Sequence, residues 1–205
     1  SESHHIIDLD QVGRENIDSF YKASRAQIRG ITRVDASGRI VYTTPYDRKL
    51  IGRDISSQNH IREVMRTRKP VVSDVFTAVQ GYRTVAVHIP VFGNEIYKGT
   101  IAITVDFQSL AARYLEVIKI GKTGYAWVTS RDGTELYCPI PGHTGKSVYI
   151  NGKDFPSVLA MAGEMLKGNQ GVTTYTFDPV GGQSAKTVKK HAVYMPISLG
   201  NTFWS

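Results

Sequence analysis

The segment from Thr84 to Asp106 contains three side chains that can bind a ligand, namely the imidazole of His88, the hydroxyl of Thr104 and the carboxylate of Asp106. Two runs rich in β-branched residues flank the turn residues Gly93-Asn94-Glu95, a pattern that predicts a β-hairpin. Because successive side chains of a strand point to opposite faces, all three polar groups fall on a face of small residues. We therefore expect this face to form the floor of a polar pocket, while the opposite apolar face packs into the core.

Further candidates come from the residues before this hairpin. His60 lies on a predicted helix over 57–68 and could converge with the hairpin histidine. Arg83 could bind an anion at the entrance of the first hairpin strand, and Phe76 could form an apolar wall. Two histidines and a carboxylate are also zinc-ligand types, but no metal-ligand spacing relates them. Asp106 has a second interpretation, because a carboxylate at a strand end can cap the helix that follows.

The sequence offers little support for an enzyme. The single Cys138 excludes an intrachain disulfide and a multi-cysteine zinc site. Its thiol invites a nucleophile hypothesis, for a hydrolase, but no Cys-His motif lies near it. The stretch Gly121–Gly124 is similar to part of a phosphate-binding loop, yet the upstream glycine is missing and a strand follows where a helix is required. We therefore predict no catalytic residue, no metal and no cofactor.

Composition narrows the class of protein. The 205 residues are 41% hydrophobic and 21% charged, which is typical of globular domains. The net charge is +7, but the lysines and arginines are scattered, so we expect no nucleic-acid partner. No apolar run approaches the about 20 residues that cross a bilayer. The abrupt start at Ser1 and the end within an apparent strand indicate a fragment cut at both ends.

The order of predicted elements indicates an α+β fold. Apolar residues at three-four spacing predict a leading helix over 10–29, ended by Gly30. Short strands over 31–34 and 39–43 follow, then the helix over 57–68, a strand over 71–78 and the hairpin. A helix over 108–118 leaves the last strand. Antiparallel strands with helices beside them predict a layered sheet packed by helices.

The same order then repeats in the second half of the chain. A strand, a glycine turn and a strand ending in tyrosine occur at 126–137, as they do at 32–42. A helix over 154–166 and a strand ending in Met195-Pro196-Ile197 parallel the later elements of the first half. Internal repetition of this kind predicts two copies of one supersecondary unit. We therefore divide the chain into a helix or stalk at 1–29, a first module at 30–118 and a second at 119–205.

The order and spacing of six segments resemble the tandem Cache family of PAS-like sensor domains. They are Val34–Val41, Ile51–Ile55, Lys69–Phe76, His88–Val91, Gly99–Asp106 and Gly121–Trp127. The resemblance covers essentially the whole chain. It implies an α+β fold of two tandem PAS-like modules, each an antiparallel sheet of about five strands flanked by helices, after a long N-terminal helix.

The resemblance also implies a function. Such a domain lies outside the cell membrane, between two transmembrane helices, and binds a small molecule in its first module. Occupancy is passed to a cytoplasmic output, which we expect to be a histidine kinase, with a chemoreceptor or a cyclic-dinucleotide enzyme as alternatives. A structural or dimerisation module without a ligand is a further alternative, and homodimerisation through the leading helix stays open.

The subgroup of this family that binds amino acids has an Arg-x-Trp-Tyr pattern, a third-strand tyrosine and a fifth-strand aspartate. The matching positions here hold Gln58, His60-Ile61, Phe76 and Asp106, so only the aspartate is retained. Without an arginine to clamp a carboxylate, a different ligand, neutral or cationic, is expected. The predicted ligand-binding residues are Asp106, His88, His60, Phe76, Thr104, Arg83, Gln58 and Asp74.

Overall fold

The computed structural model describes residues 5, 7, 9–177 and 188–205. Within them the chain forms two compact units that divide between Asp106 and Phe107. The sequence predicts a boundary between the two modules after residue 118.

An antiparallel sheet with helices forms the first unit. Its elements are α1 (Gln11–Ser24), β1 (Ile28–Val34), β2 (Ile40–Thr44), α2 (Asn59–Thr67), β3 (Val71–Val72), β4 (Phe76–Thr77), β5 (Arg83–Gly93) and β6 (Ile96–Val105). The strand order is β2-β1-β6-β5-β3, with β4 also paired to β5. This antiparallel sheet flanked by helices confirms the predicted α+β class.

The hairpin predicted from the sequence is formed by β5 and β6. Asn94 and Glu95 connect the strands, and both have positive φ, at 49° and 64°. Positive φ at both central residues suits a type I′ turn, whose twist matches that of paired strands. In the ladder His88 lies opposite Ala102. Ala102 is in turn paired with Thr32 on β1, so these three residues form one row across the sheet.

The two faces of the sheet have different partners. One face packs against α1, where Ile28, Ile31 and Tyr42 form a cluster with Ile17. The partly buried Ile101 and Ile103 of β6 extend the same cluster. The other face supports α2 through a second cluster, and its buried members are Val34, Ile40, Leu50, Ile55 and Ile61. Part of the large apolar face of the hairpin, at Ile101 and Ile103, therefore packs under α1, but Ile89 on the same face is 44% exposed. The small-residue face turns toward α2, and its Ala86 and His88 are buried.

The leading helix is shorter than predicted. Asp10 caps its first turn by accepting a hydrogen bond from the Gly13 amide at 2.8 Å. It ends at Ser24 rather than 29, because the chain turns and enters the sheet at Ile28. Gly30 lies within β1, so its prediction as a helix cap is wrong. A Cβ on Gly30 would lie 3.1 Å from the Thr44 carbonyl oxygen, so the residue serves close approach of two strands. Residues 1–4, 6 and 8 of the segment assigned to a helix or stalk lie outside the described residues.

The third predicted strand, over 71–78, is divided into β3 and β4. Between them Ser73 bonds to Ala86 in two ways, as its amide donates to the Ala86 carbonyl and its hydroxyl oxygen accepts from the Ala86 amide, both at 2.9 Å. The side-chain bond takes the place of a ladder bond at this irregularity. The strand therefore breaks without leaving the Ala86 amide unsatisfied.

The second unit contains three helices and eight short strands in its described part. They are α3 (Phe107–Leu115), β7 (Lys119–Ile120), β8 (Gly124–Tyr125), β9 (Val128–Thr129), β10 (Glu135–Tyr137), α4 (Val148–Asn151), α5 (Pro156–Leu166), β11 (Gly171–Phe177), β12 (Val188–Tyr194), β13 (Ile197–Leu199) and β14 (Thr202–Trp204). Buried side chains of α5, among them Met161 and Met165, pack with Val148 and Tyr175. None of the described helices is long and apolar enough to cross a membrane.

The strands of the second unit pair two by two, as β7–β8, β9–β10, β11–β12 and β13–β14. A continuous sheet of about five strands, as predicted for each module, is not formed by the described residues of this unit. Several of these strands have only two or three residues, which limits the ladder that each can maintain. Thr129 and Ser205 do exchange backbone hydrogen bonds, which join the chain after β14 to β9.

Candidate functional site

A cavity of about 30 Å³ lies in the first unit, on the face of the sheet that supports α2. The row formed by Thr32, Ala102 and His88 is part of its floor. Thr104 and Ala86, paired across β6 and β5, form the neighbouring row. The complete lining is Thr32, Ile40, Ile55, Gln58, His60, Phe76, Ala78, Val79, Gln80, Ala86, His88, Ala102 and Thr104. The small side chains of the floor leave room that larger residues would fill.

Three aromatic rings meet at this cavity. The His60 and His88 rings are stacked, with centroids 4.8 Å apart and planes inclined by 25°. Phe76 contacts the His60 ring, with centroids 4.2 Å apart. His60 Nε2 lies 2.9 Å from Gln58 Oε1. Because an amide oxygen only accepts, this hydrogen bond places the His60 proton on Nε2 and leaves Nδ1 as an acceptor.

Both imidazoles are neutral at physiological pH. Burial lowers the pKa of His60 to about 4, since desolvation penalises its charged form. Burial lowers the pKa of His88 further, to about 3, and the nearby His60 adds to the shift. No other ionisable side chain is among the described residues that line the cavity. The walls therefore present hydrogen-bonding dipoles without a formal charge.

His88 is the least satisfied polar side chain of the cavity. Only 1% of its surface is exposed. Neither Nδ1 nor Nε2 has a hydrogen-bond partner among the described protein atoms. A buried polar group without a partner is destabilising by about 1–3 kcal/mol, so such groups are rare away from binding sites. The neutral ring offers one donor and one acceptor to a molecule in the cavity.

A chain of contacts connects the cavity to the end of the first unit. Thr104 Oγ1 donates to the Gly30 carbonyl oxygen at 3.0 Å, so the Tyr82 hydroxyl, 3.1 Å away, donates to Thr104. The Arg29 guanidinium lies over the Tyr82 ring, 5.2 Å from its centroid. The same guanidinium pairs with Asp106, with Nη2 3.2 Å from Oδ2. The Asp106 carboxylate is thus connected to the cavity through the side chains of Arg29, Tyr82 and Thr104.

The structure brings five of the eight predicted site residues together. Gln58, His60, Phe76, His88 and Thr104 line the cavity. The other three do not line it, since Asp106 pairs with an arginine of β1 and Asp74 and Arg83 are exposed.

Sequence reasoning missed Thr32 and Gln80. Thr32 joins the floor only through the pairing of β1 with β6, and no local pattern predicts that register. Gln80 lies in the turn after β4 and carries no chemical pattern of its own.

Cys138 lines a different cavity, in the second unit. Burial raises the pKa of its thiol to about 12, with the neighbouring Glu135 contributing. The thiol is therefore protonated at neutral pH, whereas a nucleophilic cysteine needs its thiolate. This finding argues against the hydrolase hypothesis.

A known protein family matches most of the first unit. Residues 12–106 match the family described as "HK/GC/Chemotaxis protein-like, sensor domain". No curated protein sequence matches the chain at a significant level. The family match confirms the sensor domain that the sequence predicted.

Solved structures share the fold across both units. The extracellular ligand binding receptor from Desulfohalobium retbaense has a TM-score of 0.67 and 20% identity; the match covers 95% of this chain and 32% of that one. The ligand-binding domain of the amino acid chemoreceptor PctC of Pseudomonas aeruginosa, in complex with GABA, has a TM-score of 0.64 and 19% identity over 98% and 83% of the two chains. The domain of the Pseudomonas fluorescens chemoreceptor CtaA, in complex with L-serine, has a TM-score of 0.67 and 14% identity over 99% and 81%. These neighbours confirm the fold of a sensor domain.

Proposed function

We propose that this chain is the extracytoplasmic sensing region of a membrane receptor and that the cavity of its first unit binds a small uncharged molecule. The observation that carries the proposal is the buried His88, whose two nitrogens have no partner among the described residues of a cavity without charged walls. The cavity lies within residues 12–106, the part that matches the sensor-domain family.

Charge supports a neutral ligand. A carboxylate ligand gains most from an arginine fork, and an amine from a buried carboxylate. Neither group is present among the described residues of this lining. Burying an unpaired charge is costly, so the cavity discriminates against amino acids and other ions. The amino-acid ligands of the PctC and CtaA domains therefore do not transfer to this chain.

The polar groups indicate what the ligand must carry. A neutral imidazole at His88 requires one acceptor and one donor on the bound molecule. The His60 Nδ1 lone pair and the Gln58 amide can add further hydrogen bonds, and the Phe76 ring provides an apolar wall. Small amides, ureas and heterocycles with adjacent donor and acceptor groups meet these requirements. A space of about 30 Å³ favours the smallest of them, because larger molecules must first open the cavity.

Signalling requires that the ligand distinguish two states of the domain, because equal affinity for both would shift nothing. We propose that two tandem PAS-like modules follow the leading helix, as the sequence indicated. In this proposal, flanking transmembrane helices transmit occupancy to a cytoplasmic histidine kinase or chemoreceptor output. The family match and the shared fold of both units support this arrangement.

The test is a thermal-shift screen of the purified chain against three sets of compounds of similar size: neutral amides, ureas and heterocycles; carboxylates; and amines. Binding to the native state raises the Tm by mass action. We expect hits in the neutral set, and we expect His88→Leu to abolish their shift. His191→Leu is the matched control, since His191 is exposed in the second unit. Shifts only with charged compounds would refute the neutral ligand, and no shift in any set would favour a structural module.

A further inference from the structure

The cavity of the second unit contains a cluster of metal-binding side chains. Glu135 lies at the start of β10, and Cys138 and His143 lie in the loop that follows, an arrangement Glu-x2-Cys-x4-His. One possible ligand atom of each residue lies within 4.8 Å of the others. All three residues line the same cavity, of about 20 Å³, which has room for one water molecule or one small ion.

Glu135 is buried, and only one of its two carboxylate oxygens accepts a hydrogen bond from the described residues. Its side chain is 97% buried, and its Oε2 accepts no hydrogen bond from the described residues. The closest basic atom is His143 Nδ1, at 3.5 Å, which is too far for a good hydrogen bond. A buried carboxylate without full pairing is strongly destabilising, so a cation in contact with Oε2 is expected.

The separations fit a tetrahedral ion. Zinc bonds of about 2.0–2.1 Å to nitrogen and oxygen place two such ligands about 3.3 Å apart at the tetrahedral angle. The observed 3.5 Å between His143 Nδ1 and Glu135 Oε2 is close to this value. A zinc–sulfur bond of about 2.3 Å places the sulfur about 3.5 Å from each of the other ligand atoms. Because all three atoms lie within 4.8 Å of one another, the Cys138 sulfur needs to approach by at most about 1.3 Å.

The surrounding groups hold two of the ligands in place. The Asn151 side-chain amide donates to Glu135 Oε1 at 2.9 Å and to the His143 carbonyl oxygen at 3.1 Å. This leaves Oε2 directed to the other ligands. The Glu135 carbonyl oxygen also accepts a hydrogen bond from the Gly145 amide at 2.7 Å, and the Glu135 amide donates to the Lys146 carbonyl oxygen at 2.9 Å. These two bonds hold the loop against the strand. Outer contacts of this kind orient the ligands of protein metal sites.

We propose that Glu135, Cys138 and His143 bind a zinc ion in the second unit. Binding of Zn²⁺ releases the thiol proton of Cys138 to solvent, because a coordinating thiol is deprotonated. The resulting carboxylate, thiolate and imidazole form a donor set that suits Zn²⁺, and the two anionic ligands balance its charge. This site is separate from the ligand cavity of the first unit and does not depend on the proposed function.

The test begins with tag-free protein freed of metal by a chelator and titrated with Zn²⁺ and then with Co²⁺. We expect one zinc per chain by mass spectrometry and, with cobalt, a thiolate-to-metal charge-transfer band. The chain has one cysteine, so that band reports Cys138 alone. His143→Gln and Cys138→Ser should abolish stoichiometric binding, and Asn151→Ala should weaken it about 10–100-fold. His191→Gln, at an exposed histidine of the same unit, should bind as the parent does.

A second measurement uses the unaltered protein, so it tests the proposal even if the variants fail to fold. Zinc should slow alkylation of Cys138 in the unaltered protein, and an unchanged rate would overturn the proposal. So would a cobalt complex without the thiolate band, or equal zinc affinity in His143→Gln. Protein that binds no zinc at all would also overturn it, and would leave the cavity to the contact between His143 and Glu135.

Discussion

Replacing His88 with leucine should stabilise the first unit while abolishing ligand binding. Leucine has a similar size and no polar atom, whereas the buried imidazole has two nitrogens without a protein partner among the described residues. Relief of an unsatisfied buried group is worth about 1–3 kcal/mol, and we expect about 1 kcal/mol at pH 7 because leucine differs in shape. For a unit of this size that gain raises the Tm by about 4–8 °C.

The stabilisation should grow in acid. The pKa of His88 falls from 6.5 to about 3 on folding, so between these values the unfolded chain binds a proton that the folded chain does not. Wild-type stability is therefore full above pH 6.5 and decreases as the pH falls toward 3. Integrated from pH 7 to pH 5, the linkage amounts to about 2 kcal/mol, which the leucine variant does not lose. The advantage of the variant should thus rise from about 1 to about 3 kcal/mol.

The assay is urea unfolding at pH 7, 6 and 5, followed by far-ultraviolet circular dichroism and tryptophan fluorescence. The two tryptophans, Trp127 and Trp204, both lie in the second unit. Their fluorescence therefore monitors the part of the protein that the substitution does not touch. His191→Leu serves as the control, because this histidine is exposed in the second unit and does not line the cavity.

Two results would refute this reasoning. A variant less stable than the parent by more than about 1 kcal/mol at pH 7 would mean that the imidazole is well hydrogen-bonded in the free protein. A difference that stays constant from pH 7 to pH 5 would mean that His88 takes up a proton while the protein is folded.

Three further predictions concern stability and can be measured by the same unfolding experiment. Gly99→Ala should cost about 3 kcal/mol or more, because its φ is +109° and the new Cβ would clash with the Val34 backbone oxygen of β1. Gly52→Ala, at φ +84° with nothing within 4 Å of the new Cβ, should cost only about 1 kcal/mol. Asp106→Asn should cost at most about 1 kcal/mol, since its ion pair with Arg29 is partly exposed, and it should leave ligand-induced thermal shifts intact; loss of those shifts would return Asp106 to the binding site. Ile61→Ala should cost about 2–5 kcal/mol, because this α2 side chain is fully buried under the sheet; a smaller loss would mean that the sheet and helix close the gap.

The fold of the first unit could be predicted because its signals are local. Alternating β-branched residues and an Asn-Glu turn determine the hairpin. Gly30 could not be assigned this way, because the sequence does not distinguish a glycine that ends a helix from one that allows a neighbouring strand to approach closely. Its neighbour is the Thr44 carbonyl oxygen, which only the folded sheet brings close.

Site residues could be predicted from the sequence where their side-chain chemistry suggests ligand binding. They could not be predicted where their position in the site depends on the register of strand pairing. His60 and His88 were candidates because imidazoles bind ligands, and the structure stacks them. Asp106 was chosen by its place at a strand end, but Arg29 occupies its carboxylate in the fold. Glu135 was overlooked because a strand glutamate is normally exposed. The signal for it was the following Cys138 and His143, at a spacing that a loop can bring together.

The divided third strand also bears on solubility. An exposed sheet edge can recruit another chain through its unpaired backbone groups, and proteins limit this hazard with short or irregular edge strands. At this edge β3 and β4 have two residues each, so a foreign strand would meet no long ladder to extend. Substitutions that straighten Ser73–Val75 into one continuous strand would therefore favour aggregation, even if the domain itself became more stable.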